Sequence, residues 1–437
     1  MNKFAFIGAG SLQFTSSCVR DLLTFPAFKE SEFMLMDTNA ENLKWIEGIV
    51  NTIIEKMDCP KCVVKTTMDR AEALKDADGV LCTVFNGDID IWQYDITIPK
   101  KYGVDINVGD TRSVSGIFRA LRNIPLMLDI CRDIEKLSPK AVMLNYTNPM
   151  SMLCKAMQTY TNVDVTGLCH SVQGTSEMLA EWAGADYKDV TYTCAGINHM
   201  AFFTELKCNG QDLYPVLREK IKDPEFYNKE KVRNEIFKTF GYYVTESSGH
   251  NSEYTPWFRK RPDLIRKYCS PIGANWNPGE YAFSLNLRND PNRFENNVKA
   301  WMDKPLPKER GREYAANILN ARIGDNTPFA FNANIINNGS IENLPFDACV
   351  EIPVIASKNG YERKFQGKIP DAAAVMVAQT AGIENLAVKA WEKRSKQMLY
   401  QAVSLDPLCS AVLSLEEIKE MCDEILAVNK DYLGDFK

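Results

Sequence analysis

Phe4-Ala5-Phe6-Ile7-Gly8-Ala9-Gly10-Ser11 stands at the head of the chain, and its reading decides the fold. The apolar run is too short for a secretory hydrophobic region and reads as a buried strand. Gly8 to Ser11 reads as a turn, and the stretch through Cys18 to Leu23 as a helix. A strand, a glycine turn and a helix in that order cradle a pyrophosphate. Glycine lets the backbone approach the anion, and the first helical N–H groups have no partner of their own. The third glycine of the usual Gly-x-Gly-x-x-Gly pattern is missing, because Gln13 stands there. The next strand, Phe33 to Met36, ends in Asp37. A carboxylate there accepts hydrogen bonds from a ribose and repels a 2′-phosphate, which points to NAD over NADP. The rival reading is an ordinary βαβ turn with an N-capping aspartate. Gly8, Gly10, Ser11 and Asp37 are the candidate cofactor residues.

Outward from this unit the pattern stays doubly wound. Helical periodicity covers residues 40–56 and 117–137, with a short helix at 69–74. Strands are expected at 62–67, 79–85 and 141–144. Two of these strands end in asparagines, Asn86 in one case and Asn145 and Asn148 in the other. Such amides either make turns or hydrogen-bond a nicotinamide or sugar hydroxyl. Asn86 and Asn145 are candidates for the cofactor. The second half is less regular: strands at 201–206, 329–336 and 350–356 alternate with helices at 232–240, 312–319, 372–391 and 394–403. A polar, aromatic stretch, Thr245 to Phe258, reads as a loop that either binds substrate or packs domains. The fold expected is α/β, a Rossmann-like dinucleotide-binding domain (1–195) followed by an α+β domain (196–437) that binds substrate and metal.

Composition narrows the class. A length of 437 residues exceeds one ordinary core. A formal charge of −6 argues against nucleic acid as a partner. No window approaches a membrane span. Thirteen scattered cysteines read as free thiols in a reducing cytoplasm. Cys59-Pro60-Lys61-Cys62 has no second pair nearby and reads as a coincidence.

Of three histidines in the chain, two fall between Gly167 and Met200. Cys169 and His170 follow an expected strand, small residues lead from them into a helix near Ser176, and His199 follows a second strand at 192–197. Thiolate and imidazole both bind divalent transition metals, and strand ends are where open α/β sheets carry chemistry. The plainer alternative is a buried cysteine and a satisfied core histidine.

At this point several runs resemble one family over nearly the whole chain. They include Phe118-Arg119-Ala120-Leu121-Arg122, Leu144-Asn145-Tyr146-Thr147-Asn148-Pro149-Met150, Gly167-Leu168-Cys169-His170-Ser171-Val172-Gln173-Gly174-Thr175, Gly196-Ile197-Asn198-His199-Met200 and Glu253-Tyr254-Thr255-Pro256-Trp257-Phe258. The chain resembles glycoside hydrolase family 4, the NAD- and metal-dependent glycosidases. Its His-Ser-Val after the cysteine resembles the α-galactosidases of that family. One departure is the run Arg112-Ser113-Val114-Ser115-Gly116, where Ser113 and Ser115 replace glycines in a loop that lies near the sugar in the family.

The resemblance implies hydrolysis of an α-galactoside by C3 oxidation with NAD, C2 deprotonation, loss of the aglycone, water addition and re-reduction. This family is an exception to the two-carboxylate scheme. By position, Cys169 and His199 would hold Mn²⁺ or another divalent cation, and Tyr254 would be the C2 base. His170 would be either an acid or a hydroxyl ligand, and Asn148, Asn198 and Arg119 would hold the sugar or order the metal site. A cytoplasmic homo-oligomer, dimer or tetramer, acting on a small glycoside without a membrane is the implied setting. Two alternatives stay open. One is the same chemistry on an α-glucoside or an α-uronide, with Arg112 as a candidate for a uronate carboxylate. The other is a net dehydrogenase of the 2-hydroxy-acid type.

Overall fold

The computed structural model describes residues 1–87, 89–269, 290 and 292–437. Twelve strands form one sheet among these residues. They are β1 (Lys3–Ile7), β2 (Glu32–Met36), β3 (Val63–Thr67), β4 (Gly79–Cys82), β5 (Val142–Asn145), β6 (Asp164–Gly167), β7 (Val190–Ile197), β8 (Met200–Cys208), β9 (Gln211–Asp212), β10 (Phe329–Ile336), β11 (Cys349–Ser357) and β12 (Gly360–Arg363). The first six run parallel in the order β3-β2-β1-β4-β5-β6. That is the strand order of a dinucleotide-binding sheet. Beyond β6 the sheet turns antiparallel through β10, β11, β7, β8 and β9, with β12 on β11. The two halves are joined in register at Asn334 opposite Gly167.

Alternation along β1 explains the layers. Phe4 and Phe6 enter one apolar cluster with the helices Leu12–Leu23, Ala40–Lys56 and Tyr314–Ile323. Ala5 and Ile7 enter another with Ser113–Leu137, Met150–Tyr160, Lys396–Leu405 and Leu415–Val428. A strand covered on both faces reads as a continuous apolar run rather than an alternating one. The edge strand β3 has no buried residue and exposes Val63, Lys65 and Thr66, with the charge of Lys65 on the edge.

Two local expectations change, and one helix is added. The helix after Cys169 spans Ser171–Ala183, five residues earlier than Ser176. Small residues read there as a turn instead form the first helical turns, so the helix N-terminus abuts Cys169. The polar stretch read as a loop contains the buried helix Ser248–Tyr254, started by Ser247, whose hydroxyl accepts from His250 N. Its polar side chains are buried against other polar groups, so no apolar period marks it. A helix at Ile89–Lys101 also follows β4, with Ile91, Trp92, Ile96 and Ile98 buried.

Candidate active site

The turn after β1 is shaped by its backbone. Gly8 has φ +86, and a Cβ there would lie 2.4 Å from Thr83 O. Gly8 N and Ala9 N both donate to Met36 O at 2.9 Å, which ties the turn to the end of β2. Gly10 N donates to Asp37 Oδ2 at 2.8 Å, and Asn39 N to Asp37 Oδ1 at 3.0 Å. Ser11 starts the helix Leu12–Leu23 without a side-chain cap bond, leaving the first N–H groups open to an anion. A cradle that admits no Cβ, an uncapped helix start and a carboxylate beside it fit a dinucleotide. The two asparagines beyond β4 and β5 shape turns. Asn86 Nδ2 donates to Arg122 O at 2.6 Å, and the buried Asn145 amide exchanges bonds with Thr147 at 3.0 and 3.1 Å.

Two further strand ends deliver the thiol and the imidazole. Cys169 lies two residues past β6, at the start of the Ser171–Ala183 helix, and Ser171 N donates to its sulfur at 3.4 Å. Asn198 and His199 form the two-residue turn between β7 and β8. Such tight hairpin turns demand positive φ, and His199 has φ +60. That strained turn aims Nε2 at Cys169 Sγ, 3.1 Å away, while Nδ1 faces Thr111 Oγ1 at 3.3 Å and the Tyr254 hydroxyl at 3.4 Å. The separation of Sγ and Nε2 suits neighbouring ligands of one ion with bonds of about 2.0–2.3 Å. His199, Glu246 and His250 also offer ligand atoms within 4.8 Å of one another. This thiol, imidazole and carboxylate set fits a divalent cation.

Cys169, His170, His199, Asn148, Asp110, Glu246 and His250 line one cavity of about 480 Å³. Tyr254, Asn198 and Arg119 do not line it. Tyr254 is buried behind His199. Asn198 is fully buried in the hairpin turn, its carbonyl taken by Arg112. Arg119 lies against the rings of Phe85 and Trp92, at 4.6 and 5.1 Å. Arg112 is not available to a uronate. It is buried, bonded to Asn198 O, paired with Glu384 at 3.2 Å and stacked 4.9 Å over the Tyr254 ring. Ser113, at φ +59, takes the left-handed backbone that glycine adopts most readily. Its hydroxyl donates to Asp406 and that of Ser115 to Asp95 O, so neither serine faces the cavity.

Several contributors escape the sequence reading. Glu313 accepts from Tyr146 at 2.9 Å and engages His170 Nε2 at 2.9 Å, while Phe14 from the first helix stacks on His170 and packs tilted against Tyr146. Glu253 accepts three backbone bonds, from Asn107, Val108 and Gly109 at 2.7 to 3.0 Å, and so fixes the loop that leads to Asp110. Asn148 Nδ2 reaches Asp110 at 3.3 Å. The partners lie far apart in sequence, and no local spacing marks them.

Burial sets the electrostatics. It pushes the Cys169 thiol and the Tyr254 phenol well up, and lowers His199 to about 4, so the imidazole is neutral and free to ligate. Burial opposes the charge on His250 too, but Glu246 and Asp110 outweigh it and raise this histidine to about 9. Asp110 in turn is held far below the carboxylate range, since His250, Arg119 and His199 overcome its burial. For His170, burial is outweighed by the Glu313 contact, and its proton is held more tightly. A cation beside the thiol would reverse the burial penalty and favour the thiolate.

Residues 3–185 match the model of the family 4 glycosyl hydrolases, and residues 194–409 that of the family 4 glycosyl hydrolase C-terminal domain. An alpha-galactosidase of Bacillus subtilis (strain 168) is 36% identical, with 100% of each chain covered. An alpha-galactosidase of Rhizobium meliloti (strain 1021) is also 36% identical, covering 99% of this chain and 89% of that one. The fold matches that of a 6-phospho-alpha-glucosidase from gut microorganisms, solved with NAD and Mn2+, at a TM-score of 0.81 and 21% identity, with all of both chains covered. Full-length likeness of this degree, on a chain that brings a glycine turn, a thiol and an imidazole to one sheet edge, places the protein in family 4 of the glycosyl hydrolases.

Proposed function

We propose that this chain hydrolyses α-galactosides by an NAD- and divalent-cation-dependent elimination. The observation that carries the reading is the convergence of Cys169 Sγ, His199 Nε2 and the Tyr254 hydroxyl around one imidazole, at the strand-end edge that also carries the Gly8–Gly10 turn. When bound, NAD supplies a reversible oxidant for a secondary alcohol, and the cation supplies a Lewis acid for the resulting ketone. Gly8, Gly10, Ser11 and Asp37 hold the dinucleotide, with Asn86 and Asn145 shaping the neighbouring turns. Cys169 and His199 hold the cation at the cavity wall. Tyr254, from behind the lining residues with its hydroxyl 3.4 Å from His199 Nδ1, would be the C2 base, and a cation held by Cys169 and His199 would lower its phenol toward a working range. His170 keeps Nε2 on Glu313 and so leaves its other ring nitrogen, Nδ1, for the leaving group or a sugar hydroxyl. Asn148 faces the sugar, while Asn198 and Arg119, behind the lining residues, order the hairpin and the cavity wall.

A neutral sugar suits the cavity better than a charged one. Among its described lining residues the one arginine, Arg233, is paired with Glu230 at 2.8 Å and bonded to Thr175. With Arg233 matched by Glu230 and His250 by Asp110, no described lining arginine or lysine is left over for a uronate or a phosphate. Domain division at residues 195 and 196, a homo-oligomer and a cytoplasmic setting complete the reading. Among the described residues no helix is long and apolar enough to cross a membrane.

The test is a panel of nitrophenyl α-galactoside, α-glucoside and α-galacturonide, with and without NAD, Mn²⁺ and thiol reductant. The galactoside should turn over only with both cofactors, many times per NAD, and sugar released in heavy water should carry deuterium at C2. Tyr254→Phe should lose that label and about 10²–10⁴-fold in rate while still binding NAD and Mn²⁺. Equal turnover without NAD, or unlabelled sugar from the native enzyme, would sink the mechanism. Net NADH at the rate of turnover would instead favour a dehydrogenase.

A further inference from the structure

Glu246 has no task in the scheme above, yet its position is among the most constrained in the cavity. The segment before it is held on β8: Val244 bridges Phe202, and Thr245 N donates to Ala201 O at 2.8 Å. Glu246 thus lies beside the hairpin turn that carries His199. Its φ is +71, so two non-glycine residues in left-handed backbone, His199 and Glu246, face each other across this wall. Glu246 Oε1 is 4.0 Å from His199 Nε2, the same nitrogen that meets Cys169 Sγ at 3.1 Å.

Glu351 is buried opposite Gly196 and does not line the cavity, and the other lining carboxylates, with Glu253 behind them, are engaged. Glu230 accepts from Ser248 N, Ser248 Oγ and Arg233. Glu253 takes three backbone N–H groups. Asp110 accepts from Thr111 Oγ1 and Asn148 and faces His250 Nε2 at 3.5 Å. For Glu246 the described contacts are the two imidazoles, with His250 Nδ1 at 3.5 Å. His250 has partners of its own, since Nδ1 is 2.9 Å from Ser247 Oγ and Nε2 faces Asp110. The carboxylate therefore keeps its lone pairs for something in the cavity, and His250 is placed to steer it.

We propose that Glu246 is a third protein ligand of the divalent cation, completing a thiolate, imidazole and carboxylate set with Cys169 and His199. Glu246 brings a second negative charge, so thiolate and carboxylate together balance a 2+ ion. It also adds a hard oxygen donor to a soft pair that alone suits Zn²⁺, which shifts the site toward Mn²⁺. The inference rests on Cys169 and His199 being ligands, and the test separates the two claims.

The full-length protein, stripped with chelator, is titrated with Mn²⁺ while free Mn²⁺ is read by electron paramagnetic resonance. Glu246→Gln preserves shape and removes the charge, and Glu246→Asp retains the charge on a shorter arm. Glu246→Gln should lose about 10- to 100-fold in affinity, by comparison with losses at groups that support metal ligands, and Glu246→Asp less. With Co²⁺ as probe, Glu246→Gln should keep the thiolate-to-cobalt charge-transfer band from Cys169 but shift the ligand-field bands. An affinity within about twofold of native would overturn the proposal, using tenfold per 1.4 kcal/mol as the scale. So would lost affinity with unchanged ligand-field bands, because charge alone then explains the loss. If Cys169→Ser retains native Mn²⁺ affinity, the ligand pair itself is wrong and the function fails before this inference is reached. Matching melting curves of native and variant proteins, without metal, exclude a folding defect.

Discussion

The glycine turn after β1 and the cavity around Cys169 occupy the same edge of one sheet but are built by opposite means. The turn is largely local: its shape comes from residues between Lys3 and Asn39, mostly through backbone bonds and one positive φ, with Thr83 beyond β4 as a distant partner. The cavity is assembled from Asp110, Asn148, Cys169, His199, Glu246 and His250, brought from five separate segments. It is held by buried side-chain contacts such as Glu253 on the loop before Asp110, and Arg112 between Asn198 and Glu384. A locally encoded anion cradle tolerates change elsewhere in the fold. An assembled polar site depends on many distant groups, each costly to leave unpaired.

If the two regions are independent in this sense, changes should separate cleanly. The largest effect belongs to the metal pair. Cys169→Ser and His199→Ala should each cut turnover by about 10³-fold or more, through loss of several kcal/mol of charge stabilisation. NAD affinity, read by fluorescence titration, should stay within about twofold, well under 1 kcal/mol. Loss of NAD binding along with the metal would break the comparison.

Gly8→Ala strikes the other region. A Cβ 2.4 Å from Thr83 O on backbone at φ +86 should cost about 2–4 kcal/mol, combining left-handed strain and overpacking. The urea midpoint and NAD affinity should both fall, while Mn²⁺ affinity of the folded fraction holds. A normal midpoint would show that the turn yields more easily than its geometry implies.

Asp37 sharpens the picture at smaller scale, because it both closes the turn through Gly10 N and marks the ribose end. Asp37→Asn should improve NADP binding relative to NAD by about tenfold, or about 1.4 kcal/mol. Asp37→Ala should also weaken NAD by loosening the turn. Dissociation constants for both dinucleotides decide it, and an unchanged NAD/NADP ratio in Asp37→Asn removes the selectivity role.

The smallest effect is a pH dependence in the assembled region. Burial raises Glu384 from 4.5 to about 7, with Arg112 offsetting part of the penalty. Between those values the folded chain holds a proton that the unfolded chain has released. Its contribution to stability is therefore full below about 4.5 and is lost as pH rises through 7. Glu384→Gln mimics the protonated form, so its Tm relative to the native protein should rise by a few °C from about pH 5 to about pH 8. A difference that stays flat with pH would mean that the Arg112 pairing cancels the burial cost.

The sequence by itself determined the doubly wound half, the glycine turn with Asp37 and the placement of Cys169 and His199 at strand ends. Helix and strand periods, turn residues and short connections are properties of neighbouring residues, and they stay legible when the chain is read in order. Tertiary structure alone decided the rest. It folded Ser248–Tyr254, inside the Thr245–Phe258 stretch, into a buried helix, because its polar side chains find partners across the chain rather than an apolar face. It withdrew Arg112 from the cavity into a brace between Asn198, Glu384 and Tyr254, and supplied Glu313 to His170. The physical reason is the same in each case. A buried polar group is placed by the distant partner that offsets its lost hydration, and that partner has no fixed spacing in sequence.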